Sequence, residues 1–121
     1  MKHAPGFLAL VEAVRPSVVE VSVREAVAGG RTLIDVREAS EVADGLPVGA
    51  MWLARGILER DIESVVPDRS AKIALLCGGG FRSCLAAESL QRMGYTSVVS
   101  VAGGMRAWRD QGLPTTALPS V

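Results

Sequence analysis

Ile73-Ala74-Leu75-Leu76-Cys77-Gly78-Gly79-Gly80-Phe81-Arg82-Ser83-Cys84-Leu85-Ala86-Ala87-Glu88-Ser89-Leu90 reads as a buried strand, a glycine turn and a helix in immediate succession. The apolar run from Ala71 to Leu76 has the length of a strand, and the glycines end it. From Arg82 to Met93 the pattern is helical, with Gly94 as its stop. Strands that alternate with helices across connections this short are the signature of a parallel sheet with helices on both faces.

The same alternation runs outward from this unit. Upstream, Val18 to Val21 reads as a strand, and Ser22 caps a helix over Val23 to Ala28, with Glu25 at the capping-box position. Thr32 to Val36 reads as a strand, Glu38 to Ala43 as a short acidic helix closed by Gly45 and Pro47, and Ala50 to Leu53 as a weaker strand. Gly56 to Val66 has helical spacing before Pro67. Downstream, Ser97 to Val101 gives the last strand, and Met105 to Gln111 a helix ended by Gly112 and Pro114. Gly6 to Val14 is an amphipathic helix broken at Arg15-Pro16. The expected fold is α/β, a parallel sheet of about five strands. We divide the chain into an N-terminal docking helix and linker (1–17), one domain (18–116) and a C-terminal tail (117–121), the exit from Thr115 onward reading as loose.

Open sheets of this kind bind ligands at the carboxyl ends of their strands, which is where Cys77 falls. Three glycines in a row let the backbone curl with positive φ, so that the N–H groups of Gly78, Gly79, Gly80, Phe81 and Ser83 can turn toward one sulfur. The start of the following helix adds its free N–H groups and positive dipole end, and Arg82 adds a full charge. All of these favour thiolate over thiol and place the sulfur at the mouth of an anion cradle.

Composition narrows the chemistry. The chain has 121 residues, 49% of them hydrophobic, and a formal net charge of +0, which fits one domain with no bulk attraction for nucleic acid or anionic lipid. No stretch reaches the roughly 18 apolar residues of a membrane span, and no apolar leader follows Met1, so the expected compartment is the cytoplasm. Cys77 and Cys84 lie too close in sequence to suggest a disulfide framework. The single histidine, His3, lies in the N-terminal tail, which argues against a Cys-His or Ser-His-Asp arrangement and leaves a metal site short of ligands. No metal and no cofactor is expected, and Cys77 must act as a thiolate held by electrostatics alone.

From Val19 to Thr115 the chain resembles the single-domain rhodaneses, sulfurtransferases that carry sulfane sulfur on a cysteine. Three stretches carry the resemblance: Leu33-Ile34-Asp35-Val36-Arg37-Glu38 with Glu41 and Gly45 to Ala50; Cys77 to Ser83; and Gly103-Gly104-Met105-Arg106-Ala107-Trp108 with Gly112-Leu113-Pro114. Ala54-Arg55-Gly56 is also similar to bacterial members. Two positions depart from the family pattern: Leu46-Pro47 replace a frequent histidine, and Gly78 stands where a basic residue often follows the cysteine. The resemblance implies a rhodanese-like fold and a thiosulfate sulfurtransferase type of activity through a Cys77 persulfide. Its partners would be a small-molecule sulfur donor, a thiol or cyanide acceptor and, in a relay, a protein acceptor, without nucleic acid or membrane. Arg82 would orient the sulfonate of thiosulfate or balance the persulfide.

Two other readings use the same loop. A cysteine phosphatase or arsenate reductase needs five residues between cysteine and arginine to wrap a tetrahedral anion, and here there are four. A relay or partner-binding module would hold the persulfide for another protein. Of the remaining residues, Asp35 and Arg37 read as a supporting ion pair with a neighbour such as Glu41, Cys84 as packing rather than a resolving thiol, and Ser83 as a helix-start residue bonding local backbone, with a contact to the Cys77 sulfur as the lesser alternative. Gly103-Gly104 reads as a tight strand-to-helix turn, Trp52 and Trp108 as packing, and Phe81 as an aromatic rim that shapes access.

Overall fold

The computed structural model describes residues 3–118. In chain order the elements are α1 (Pro5–Val14), β1 (Val19–Val21), α2 (Val23–Ala28), β2 (Thr32–Asp35), α3 (Ala39–Val42), β3 (Leu46–Pro47) and β4 (Met51–Trp52). After these come α4 (Leu58–Val65), β5 (Ile73–Leu76), α5 (Phe81–Arg92), β6 (Val98–Val101), α6 (Gly104–Asp110) and β7 (Thr115–Thr116). Local chemistry sets several of these limits. Pro5 occupies the first turn of α1, where its missing N–H costs nothing. At α2 the Ser22 hydroxyl accepts from the Glu25 N–H at 3.1 Å while the Glu25 carboxylate accepts from the Ser22 N–H at 3.0 Å, a complete capping box.

The main sheet has five strands in the order β1-β6-β5-β2-β4, every pair parallel. Central β5 is buried at all four positions because helices cover both faces. The two-residue period of the strand then sorts its side chains. Ile73 and Leu75 point into the layer formed with α1, α4 and α5, among Val11, Ile62 and Leu90; Ala74 and Leu76 face Val23, Met105 and Trp108 of α2 and α6. Cys77 continues the odd-numbered row and therefore lies beneath α5. Pairing of Asp35 with Leu76 and of Leu75 with Ser100 brings the carboxyl ends of β2, β5 and β6 to one edge, and the loops after them meet there.

One part of the fold departs from expectation. Leu46-Pro47, read as a helix stop, and Thr115-Thr116, read as the start of a loose exit, pair antiparallel as β3 and β7. The Val48 N–H adds a bond to the Pro114 carbonyl at 3.1 Å. A pairing of two residues between distant segments leaves no local periodicity to detect, and Pro47 is tolerated because this ribbon is all edge. Residues 119–121 of the expected tail lie outside the described residues. Among the described residues no helix is long and apolar enough to cross a membrane.

Candidate active site

The turn after β5 closes on its own sulfur. The Gly80 N–H donates to Cys77 Sγ at 3.1 Å, and Ser83 Oγ lies 3.4 Å from the same atom. Ser83 Oγ is in turn 2.8 Å from Ser100 Oγ, and both serines are fully buried. With a neutral thiol, Cys77 donates to Ser83; with the sulfur ionised, the Ser83 hydroxyl can turn to donate to it while accepting from Ser100. Helix α5 starts at Phe81, directly past this turn, with the Gly80 that bonds the sulfur as its N-cap.

Three details correct the expected cradle. Of the three glycines only Gly80 has positive φ, at 99°, and only its N–H bonds the sulfur; the turn is a single sharp step and not a ring of converging donors. A Cβ at Gly80 would meet the Gly103 nitrogen at 3.1 Å, a second reason for glycine there. The sulfur lies buried beneath the loop instead of at its mouth: Cys77 is only 1% exposed, belongs to the apolar core cluster under α5 and lines neither cavity beside Gly78. Ser83 spends its hydroxyl on Cys77 and Ser100 and not on local backbone, because the helix turns it inward beneath the loop.

Arg82 stands over this loop, paired to an acid. Its two terminal nitrogens donate to the two carboxylate oxygens of Glu41 at 2.6 and 2.7 Å. The hydrogen bond from Arg82 holds the Glu41 carboxyl down at about 2, against the desolvation that would raise it. Reciprocally, the Glu41 hydrogen bond raises Arg82 further into its charged range. The pair straps α3 to α5 directly above Gly78, where a Cβ would come within 3.1 Å of the Arg82 guanidinium. This contact gives a steric reason for glycine after the cysteine.

Asp35 and Arg37 form the inner wall. Their close ion pair is with each other: Arg37 Nη2 donates to Asp35 Oδ2 at 2.9 Å, and Nε and the backbone N–H also reach the carboxylate, while the Arg37 charge acts on Glu41 only from a distance. Arg37 then donates to the carbonyls of Glu41 at 3.2 Å and Gly45 at 2.8 Å, so one buried guanidinium ties the end of β2 to the α3 segment that carries Glu41. Trp52, half-exposed, donates to the Arg37 carbonyl at 2.8 Å. Cys84 is fully buried, and burial pushes its thiol up, away from ionisation.

The turn after β6 presses on the loop from the other side. Gly104 has φ +51°, and a Cβ on it would lie 2.3 Å from the Cys77 carbonyl oxygen. That close approach lets the Met105 and Arg106 N–H groups donate to the carbonyls of Cys77 at 2.7 Å and Gly78 at 3.1 Å. The expected strand-to-helix turn is therefore also a clamp on the cysteine backbone.

Two cavities flank Gly78. One, of about 530 Å³, is lined by His3, Leu8, Glu41, Gly78, Gly79, Phe81, Arg82 and Arg106. The other, of about 410 Å³, includes Arg37, Glu41, Asp44, Gly78, Arg106 and Arg109. His3, set aside as a tail residue, sits edge-on to Phe81 at 4.9 Å and to Phe7 at 5.2 Å because α1 packs on α5. Phe81 is accordingly a half-buried wall, not a free ring. His3, Arg106, Ser100 and Glu41 in its pairing with Arg82 are site features that the sequence reading does not contain. Nothing in the sequence near His3 signals its partner, whereas Arg106, inside the Gly103-to-Trp108 stretch, stood in a motif already singled out.

Comparison with known proteins agrees with this fold. A family model described as Rhodanese-like domain matches residues 21–111. The chain is 32% identical over 85 residues to a sulfurtransferase of Allochromatium vinosum, covering 70% of this chain and 78% of that protein. Among solved structures, the polysulfide-sulfur transferase homodimer of Wolinella succinogenes superposes with a TM-score of 0.78 at 29% identity, covering 93% of this chain and 88% of that one. A protein of unknown function from Rhodopseudomonas palustris, described as a possible tyrosine phosphatase, superposes with a TM-score of 0.81 at 28% identity over 96% and 98% of the two chains.

Proposed function

The chain belongs to the rhodanese-like family, and on that footing we propose that it moves sulfane sulfur from a donor such as thiosulfate to a thiophilic acceptor, thiol or cyanide, through a persulfide on Cys77. The observation that carries the reading is the Cys77 sulfur held by the Gly80 N–H at 3.1 Å at the start of α5. Fixed donors of this kind stabilise an anion without reorganising when it forms. In the first half-reaction the thiolate attacks the outer sulfur of thiosulfate; the new S–S bond forms as the old one breaks, and sulfite leaves with the electron pair. In the second, the acceptor attacks the outer persulfide sulfur and the thiolate is regenerated. Because Cys77 is 1% exposed, reaction requires the Gly78-Gly79 segment or the Arg82–Glu41 strap to give way. A reducing compartment such as the cytoplasm suits two free thiols.

A phosphatase reading is raised by the Rhodopseudomonas neighbour's description. Against it stand the loop, with four residues between Cys77 and Arg82, and the guanidinium, whose charge Glu41 already meets. The test is to follow thiocyanate from thiosulfate and cyanide beside hydrolysis of a phosphate ester, for the wild type and Cys77→Ser. We expect thiocyanate that Cys77→Ser abolishes, and a protein about 32 Da heavier, one sulfur atom, after donor alone. Ester hydrolysis without thiocyanate refutes the proposal. If cyanide leaves the added sulfur in place while a protein thiol removes it, the function is relay.

A further inference from the structure

The cations around the loop are not equivalent. Arg82 is bound through both terminal nitrogens by Glu41, and Arg37 by Asp35, so two of the guanidinium groups nearest Cys77 have their charge met inside the fold. Arg106 differs. It is exposed, and among the described residues no ion pair involves its side chain. Among the described residues it is also the one cationic residue found in the walls of both cavities that flank Gly78; His3 and Arg82 line only the first, and Arg37 and Arg109 only the second. Its main chain is pinned to the reactive loop, since the Arg106 N–H donates to the Gly78 carbonyl at 3.1 Å. The side chain thus leaves the first turn of α6 from a fixed root beside the cysteine turn, with its charge uncommitted.

We propose that Arg106, rather than Arg82, is the specificity-determining cation that binds the anionic end of the sulfur donor. This rests on Cys77 sulfur transfer as the activity. Thiosulfate brings two negative charges to a rim where Glu41 is ionised, and a net attraction requires a cation that Glu41 does not neutralise. Arg106 supplies one with a planar fork suited to sulfonate oxygens. Arg82 then serves as the strap that positions the wall, holding α3 over the loop. A donor carrying less charge depends less on Arg106, so the residue sets preference between a dianion such as thiosulfate and a monoanionic thiosulfonate.

The experiment measures steady-state thiocyanate formation from thiosulfate and from benzenethiosulfonate for the wild type, Arg106→Gln, Arg106→Lys and Arg106→Glu. Thermal melts confirm that the exposed position leaves the fold intact. We expect KM for thiosulfate to rise about tenfold in Arg106→Gln and further in Arg106→Glu, with kcat little changed, as for loss of an interaction made equally in ground and transition states. Benzenethiosulfonate should lose less, and Arg106→Lys, which keeps the charge without the fork, should recover part of the loss. An unchanged thiosulfate KM in both Arg106→Gln and Arg106→Glu overturns the proposal, as does an equal loss for both donors. Cys77→Ser run in parallel separates the two readings: if it still forms thiocyanate the sulfur-transfer reading itself fails, whereas if it is dead and Arg106 variants behave as wild type only the present inference fails.

Discussion

Adding one methyl group at Gly104 tests whether the turn after β6 holds the cysteine in place. An ideal Cβ there would lie 2.3 Å from the Cys77 carbonyl oxygen and 2.9 Å from the carbonyl carbons of Cys77 and Gly78. Non-bonded heavy atoms are comfortable near ~3.5 Å, so the two backbones must separate by roughly 1 Å. Both obstacles are main chain and cannot rotate aside. Alanine at φ +51° also costs about 1–2 kcal/mol in the left-handed region. Prising the turns apart strains the Met105-to-Cys77 and Arg106-to-Gly78 hydrogen bonds, each worth about 0.5–1.5 kcal/mol. Gly104→Ala should therefore lose about 2–5 kcal/mol, read from urea melts, and about 100-fold in thiocyanate turnover through displacement of Cys77. Gly112→Ala isolates the conformational part, because Gly112 has φ +69° with nothing within 4 Å of its Cβ position. If Gly104→Ala lost no more stability than Gly112→Ala and turned over like the wild type, the clamp would not exist.

Three further outcomes are expected. Arg37→Ala should cost about 3–5 kcal/mol in denaturant melts, because it leaves Asp35 buried and charged without its partner; a loss under 1 kcal/mol would mean that the wall does not depend on the pair. Ser83→Ala should cost about 1–3 kcal/mol by stranding the buried Ser100 hydroxyl, Ser100→Ala should cost less because Ser83 keeps Cys77 Sγ at 3.4 Å, and the double variant should cost less than their sum; strict additivity in the cycle would show that the two hydroxyls are not coupled. Glu41 is held at about 2, below its ordinary 4.5, so its contribution is present above pH 4.5 and is lost as pH falls toward 2. With about a third of both side chains exposed, solvent screening limits that contribution to about 1 kcal/mol or less. Stability curves of the wild type and Glu41→Gln should therefore converge below about pH 2, and a gap that stays constant from pH 7 to pH 2 would show that the ion pair contributes nothing.

The path from sequence to this site was open where chemistry is local and closed where it depends on contact between distant turns. Periodicity, the Ser22-Glu25 capping box and the glycine stops lie within a few residues of the elements they define, and every strand of the main sheet could be located from them. Cys77 was legible for the same reason: strand, turn and helix are consecutive. The partner of Arg82 was not, since Glu41 is 41 positions away and meets it only because β2 and β5 are neighbours in the sheet. Spacing cannot say which way a side chain leaves a strand end, so it does not show that Arg37 gives its close ion pair to Asp35 and only carbonyl contacts to Glu41 and Gly45. The position of His3 in the chain reads as tail, yet α1 docks on α5 and returns it to the Phe81 wall. Expecting positive φ at all three glycines overlooked that one sharp step, at Gly80, suffices to turn an N–H onto the sulfur.

The placement of charge separates two jobs that the sequence seemed to give to one arginine. Beneath the loop, the direct hydrogen-bond partners of the sulfur are dipoles: the Gly80 N–H and the Ser83 hydroxyl, which Ser100 backs. Such donors are rigid and indifferent to whether the bound anion is a thiolate or a persulfide one sulfur longer, which a nucleophile that alternates between the two requires. A fully free guanidinium at the same depth would bind sulfite or another small oxyanion tightly and slow its release, whereas Arg82 tied to Glu41 does not. The ion pair thus keeps the wall in position without making the sulfur site a trap, and recognition of the donor's charge moves outward to the rim. There a flexible, solvated cation can attract an anion and still let it leave.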